Sequence, residues 1–288
     1  MTATVHVTET QRASGDDVLV TAEWLAAHLG DPDVRVIEVD VNRRAYEEWH
    51  IEGAVLWDIY TELKDGDYRP VDGPTVEALV ARSGIGPATT VVCYGYAPAF
   101  GVWLLRLHGH DDVRLLDVDR ATWRAEGWPT TAELAAPAPL DCRGAVERPG
   151  LRARRDDVIR AVSDGGTTLV DVRTSAEFLG ECFWPSGGSE PDGRAGHVPG
   201  ARHVPIDGLY DGRGAFRKRE ELARVFALLD LDGDRPLVTY CTIGGRATTA
   251  WFVLTYLLGR DRVAVYDGSW AEWGRDSKNP VETEVAQG

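Results

Sequence analysis

The chain has 288 residues, 43% of them hydrophobic and 27% charged, a globular composition with length enough for two domains that each bury a core. Its net charge of −15 repels nucleic-acid phosphates, and its short basic runs, at 152–155 and 217–219, are surrounded by acids and read as solvated helix starts. No apolar run approaches the roughly 20 residues of a membrane span, so neither nucleic acid nor membrane is expected as a partner.

The first 17 residues are polar and lack the apolar stretch of a secretory signal. Beyond them, short β-branched runs alternate with amphipathic segments. Val36-Ile-Glu-Val-Asp40 leads to Trp49-His-Ile-Glu-Gly-Ala54, Val91-Val-Cys-Tyr94 to Val102-Trp-Leu-Leu105, and Leu116-Asp-Val to Trp123. After an Ala- and Pro-rich stretch over 131–150 the same order returns. Leu169-Val-Asp-Val-Arg173 leads to Gly196-His-Val-Pro-Gly-Ala201, Leu237-Val-Thr-Tyr240 to Ala250-Trp-Phe-Val253, and Val265-Tyr-Asp to Trp273. The offset is 147 for His50 and His197, 148 for Trp103 and Trp251, and 150 for Trp123 and Trp273. A duplication explains this: a first domain over 18–130, a linker over 131–150 and a second domain over 151–280. In the second copy strands are predicted over 169–172, 203–205, 237–240 and 263–266, and helices over 157–163, 220–229 and 247–258. Alternating strands and helices imply an α/β fold, each copy a mainly parallel sheet flanked by helices, with ligands beyond the carboxyl ends of the strands.

Four cysteines, Cys93, Cys142, Cys182 and Cys241, lie far apart and without metal-ligand spacing. A reducing cytoplasm is the expected setting, and a useful cysteine there is a nucleophile rather than a staple. Tyr240-Cys241-Thr242-Ile243-Gly244-Gly245-Arg246-Ala247 lies between a predicted buried strand and a helix. A sulfur at that junction faces the helix's unpaired N–H groups and the positive end of its dipole, which favour thiolate. The paired glycines let the loop turn its N–H groups inward around an anion, and Arg246 adds a positive charge at the rim. Such a bowl suits an anion attacked at a central atom: sulfane sulfur, phosphate or arsenate. The plain alternative is a core cysteine that ends a strand.

From about Val20 to Pro280 the chain is similar to the tandem rhodanese family. The likeness rests on Leu169-Val-Asp-Val-Arg173, Gly196-His-Val-Pro-Gly-Ala201, the loop Cys241-x-x-Gly244-x-Arg246, and Tyr266-Asp-Gly-Ser-Trp-Ala-Glu-Trp-Gly274. The loop resembles the Cys-Arg-x-Gly-x-Arg form of thiosulfate sulfurtransferases, with Thr242 in place of the first arginine. The resemblance implies that Cys241 takes the outer sulfur of thiosulfate or a related small anionic donor as a persulfide. Cyanide, a thiol or a sulfur-carrier protein then accepts it. It implies backbone N–H groups from Thr242 through Ile243, Gly244 and Gly245 to Arg246 as the anion site, and no metal or organic cofactor. Losing the arginine at Thr242 removes a rim charge, so thiosulfate is expected to bind weakly. In the first copy either Gly95 or Cys93 aligns with Cys241, and neither has a glycine–arginine loop after it. That copy is read as catalytically inactive.

Asp171 and Arg173 end a strand near the expected site and read as an ion pair bracing loops, with Glu177 as a further member and substrate contact by Arg173 as the alternative. Trp270 is open between pocket wall and core. His50 and His197 recur in both copies and read as turn braces. The turn-rich insertion over 180–193 is expected to flank the cleft, with Arg194 a candidate anion contact. Cys182 is read as a surface thiol or, alternatively, one that resolves an oxidised Cys241; Cys142 has no evident role. The competing functions are a cysteine phosphatase or arsenate reductase, whose loops place five residues between cysteine and arginine against four here, and a non-catalytic scaffold or thiol sensor.

Overall fold

The computed structural model describes residues 18–140 and 147–284. The first half runs β1 (Leu19–Val20), α1 (Ala22–His28), β2 (Val34–Asp40), α2 (Arg43–Glu48), β3 (His50–Ile51), β4 (Val55–Asp58), α3 (Gly73–Arg82), β5 (Thr90–Gly95), α4 (Pro98–Leu107), β6 (Val113–Leu116), α5 (Arg120–Ala125) and β7 (Thr130–Thr131). The second runs β8 (Arg152–Ala153), α6 (Arg155–Asp164), β9 (Thr168–Asp171), α7 (Ser175–Phe178), β10 (Arg202–His203), α8 (Arg219–Val225), β11 (Leu237–Tyr240), α9 (Gly245–Phe252), β12 (Val263–Tyr266) and α10 (Ser269–Trp273). Cys142 lies outside the described residues. Among those described, no helix is long and apolar enough to cross a membrane.

Each half folds a five-stranded parallel sheet, in the order β1-β6-β5-β2-β4 and β8-β12-β11-β9-β10. The repeat therefore extends to topology, and to register: Glu38 faces Tyr94 as Asp171 faces Tyr240. Tyr94 Oη accepts from Ile51 N at 3.0 Å and Tyr240 Oη from Val198 N at 3.1 Å, each one residue past the repeated histidine. That match puts Gly95, not Cys93, at the place of Cys241. Cys93 stays inside β5, fully buried. The histidines do the same work in both halves. Nδ1 of His50 meets Tyr46 O at 2.8 Å and that of His197 meets Phe178 O at 2.7 Å, and each ring stacks on the aromatic residue concerned.

The central strands β5 and β11 are covered on both faces, which is why neither alternates between buried and exposed residues. The helices that follow them, α4 and α9, pack against one another between the sheets. Nearly all of α4 is consequently buried, and Phe100 and Trp103 share one core with Trp251 and Phe252. Three predicted elements end two or more residues early. The strand expected over 203–205 is Arg202–His203, since Pro205 lacks the N–H a ladder requires. The helix expected over 220–229 stops at Val225, and Leu228 is exposed in the turn that follows. The helix expected over 247–258 is α9 plus a wider turn, Val253–Leu257.

Candidate active site

Cys241 follows the middle strand of the second sheet, at its carboxyl end, and is 1% exposed. The chain crosses to α9 through Gly244, whose φ of +96° is left-handed backbone that glycine enters without strain. This turn brings Gly244 N to 3.0 Å from Cys241 Sγ, so a helix-initiating N–H donates to the sulfur. The other wall of the turn is α10. Cys241 N donates to Ser269 Oγ at 3.2 Å, and Cys241 O and Thr242 O accept from Trp270 N and Ala271 N, both at 2.9 Å. Ser269 itself has φ +51°, held by its hydroxyl donating to Tyr266 O at 2.8 Å. Ile243 is half-buried, and Gly245 faces Ala97 of the first half, its Cβ position 3.5 Å from the Ala97 methyl.

The loop's second half is clamped from β9's side. Thr174 and Glu177 form a capping box at the start of α7, which fixes the Glu177 backbone and leaves its carboxylate pointing to the loop. Arg246 donates to both Glu177 oxygens, at 2.8 and 2.7 Å, and to Thr242 Oγ1 at 2.7 Å, while the Thr242 hydroxyl donates to Glu177 Oε1 at 2.5 Å. Burial opposes ionisation of Glu177, but these donors outweigh it and hold its carboxyl down to about 2. Arg246, read from the sequence as a free rim cation, thus has its charge matched within the protein. Thr242 is a member of this clamp and is 2% exposed.

Beside the clamp, Arg173 is fully buried, donating to Asp171 Oδ2 at 2.7 Å and Gly196 O at 2.6 Å, with its guanidinium 4.6 Å from the Trp270 ring centroid. Asp171, Arg173 and Trp270 form one cluster under the loop. Glu177 pairs with Arg246 rather than with them. Trp270 is fully buried and donates to Arg194 O at 2.9 Å, while the Arg194 guanidinium donates to Gly274 O and Asp276 O, at 3.2 and 2.5 Å. Arg194 is therefore placed against the chain leaving α10 and is not brought to the cysteine loop. Cys182 is half-buried; burial and then Glu177 and Glu181 push its thiol up, while Arg173 and Arg246 pull it down.

Sequence reasoning missed Lys64. It opens a hairpin bridged from Lys64 to Pro70, and the second half has the same hairpin, bridged from Tyr210 to Phe216. Each docks on the opposite half. Arg69 meets Glu272 at 2.9 Å and Asp67 meets Arg275 at 3.5 Å; conversely Phe216 N donates to Asp117 Oδ1 at 2.8 Å and Arg213 meets Glu126 at 2.5 Å. Trp184 of the insertion packs edge-on against Tyr68 at the first hairpin's tip, ring centroids 5.6 Å apart. Lys64, 4% exposed, is thereby carried to the cysteine loop: Nζ donates to Asp267 O at 3.2 Å and lies 3.3 Å from the Cβ position of Gly244. The only advance signal was a repeat position that is Lys64 in one copy and Tyr210 in the other.

The rhodanese-like domain model matches residues 21–126 and again 155–276. A Haloferax volcanii protein named "Putative thiosulfate sulfurtransferase" is 38% identical over 276 residues, covering 92% of this chain and 96% of its own. A Thermus thermophilus protein named "Sulfur carrier protein TtuD" is 38% identical over 281 residues, covering 94% and 97%. Among solved structures, wild-type EanB superposes with a TM-score of 0.83 at 25% identity, over 96% of this chain and 72% of its own.

Proposed function

Because the chain belongs to the rhodanese-like domain family, as two such domains in tandem, we propose that it moves sulfane sulfur through a persulfide on Cys241. The observation that carries this reading is the Gly244 N–H donating to Cys241 Sγ at 3.0 Å from the start of a helix. The Cys241 thiolate attacks the outer sulfur of thiosulfate. An S–S bond forms at Sγ, the bond to the sulfonate sulfur breaks, and its electron pair leaves with sulfite. The charge of three units on thiolate plus thiosulfate is that on persulfide plus sulfite, so no external oxidant or proton enters the step. The Gly244 N–H that reaches Sγ, with its neighbours over 242–246, stabilises the new persulfide anion. Attack by cyanide or a thiolate on the outer sulfur then releases it and restores Cys241.

Catalysis belongs to the domain over 151–280. The domain over 18–130, joined by 131–150, has Gly95 where the thiolate would stand. Pairing of Arg246 with Glu177 and the absence of an arginine at Thr242 leave a dianion little free guanidinium, which favours a persulfide or carrier as the working donor or acceptor. The relative named as a sulfur carrier supports that choice. The same pairing weighs against a phosphatase, which needs the loop arginine for its phosphate. In a single turnover without acceptor, thiosulfate should release one sulfite per chain, and p-nitrophenyl phosphate should release nothing. Phosphate release without sulfite would establish the phosphatase instead.

A further inference from the structure

We propose that Lys64, from the first domain, is the counter-ion of the Cys241 anion. On the reading of Cys241 as the sulfur-accepting thiolate, the non-catalytic domain then completes the active site. Three observations converge on it. The first is position: the Lys64 ammonium lies against Gly244, the residue whose N–H donates to Sγ, and Cys241 is among the charges that act on it.

The second is the ion inventory. Around the loop Arg173 is matched by Asp171 at 2.7 Å, Arg246 by Glu177 at 2.7 Å, and Arg152 by Asp267 at 3.0 Å. Lys64 reaches the Asp267 main-chain oxygen, whereas the Asp267 carboxylate is held in a two-pronged pair by Arg152. Among the described residues no carboxylate lies within ion-pair distance of Lys64. A buried ammonium with no directly paired carboxylate is costly; Asp267 supports it at longer range but is committed to Arg152, and the anion left to pair with it is Cys241 or the persulfide it carries. Its remaining neighbour, the Phe100 ring at 4.7 Å, lends weak support to a cation and cannot replace an anion.

The third is the repeat. The equivalent hairpin residue, Tyr210, feels Asp117 as Lys64 feels Asp267, but it serves the copy whose loop has no thiol. The cation stands only where the sulfur anion forms.

Burial lowers Lys64 to about 8, opposed by Asp267, Cys241 and Asp65 and assisted by Arg152. The ammonium is therefore present at neutral pH and lost as pH rises through about 8. This gives a signature that a structural lysine lacks.

The test uses the full chain with Lys64→Met, nearly isosteric and uncharged, and Lys64→Arg, charged at every pH. Iodoacetamide labelling of Cys241, read on its peptide by mass, reports the thiolate whether or not sulfur is transferred. At pH 7.5 Lys64→Met should label at least fivefold more slowly than wild type and Lys64→Arg at close to the wild-type rate. Sulfite release from thiosulfate in wild type should decline above pH 8, and Lys64→Arg should remove that decline. Equal labelling in all three proteins, or an alkaline decline unmoved by Lys64→Arg, would overturn the proposal. The arginine profile decides alone should Lys64→Met fail to fold. If labelling responds to Lys64 while no donor yields sulfite or persulfide, the counter-ion stands and the sulfurtransferase reading falls.

Discussion

Glu177→Gln should slow sulfur loading about 100-fold, the loss expected when a positioned nucleophile loses its alignment. Among the described residues Glu177 is the one anion that binds both ends of the cysteine loop, through Thr242 and through both nitrogens of Arg246. The amide keeps the shape but offers one acceptor and no charge, which leaves a largely buried guanidinium unpaired. Breaking a buried pair from one side costs about 3–5 kcal/mol, so the variant should also unfold at lower temperature or urea concentration. The loss should fall on kcat and not on KM, because a released Arg246 attracts an anionic donor even as the loop loosens. Acid unfolding carries a second signature. The folded carboxyl is depressed to about 2 from an ordinary 4.5, so its stabilisation is complete above pH 4.5 and is lost as pH falls toward 2. Wild type minus Glu177→Gln should shrink over that window when urea unfolding is followed by fluorescence. A constant difference, or unchanged kcat, would remove Glu177 from the loop's support.

Gly244→Ala should cost about 100- to 1,000-fold in kcat/KM for sulfur loading, the range seen when one oxyanion-type donor is removed. At φ +96° an alanine Cβ is strained by itself, and here it would lie 3.2 Å from Asp267 O and 3.3 Å from Lys64 Nζ. The loop must re-route, and the N–H that donates to Sγ goes with it. The backbone strain is worth about 1–3 kcal/mol, so the protein should remain folded while its chemistry fails. Stopped-flow sulfite release with matched circular dichroism checks this. Near wild-type loading would mean that the Gly244 N–H is incidental.

Much of this architecture can be read from the chain because duplication writes it twice. His50 with His197, Tyr94 with Tyr240 and Trp103 with Trp251 mark the same places in two sheets of one strand order. The cysteine loop is legible too, since a strand end, two glycines and a helix start are neighbours in sequence. What is hidden lies in contacts between distant segments. Arg246 looks like a free cation until folding brings Glu177 to it across 69 residues. Thr174 and Glu177 form a helix cap in the fold, but capping occupies only part of the carboxylate. Lys64 is further out of reach, 203 residues from Asp267, because no period within either copy encodes how one hairpin docks on the other half. Arg194 shows the converse: an arginine in a functional-looking loop whose donors are taken by main-chain oxygens.

The most direct test of the central claim is the intact mass of the purified chain after thiosulfate or a low-molecular-weight persulfide, beside Cys241→Ser. A gain of about 32 Da, the mass of one sulfur added to a cysteine, is expected in the wild-type chain, mapped to the Cys241 peptide and removed by cyanide. The serine variant should show none. No gain from any donor, or an equal gain in Cys241→Ser, would contradict the persulfide mechanism.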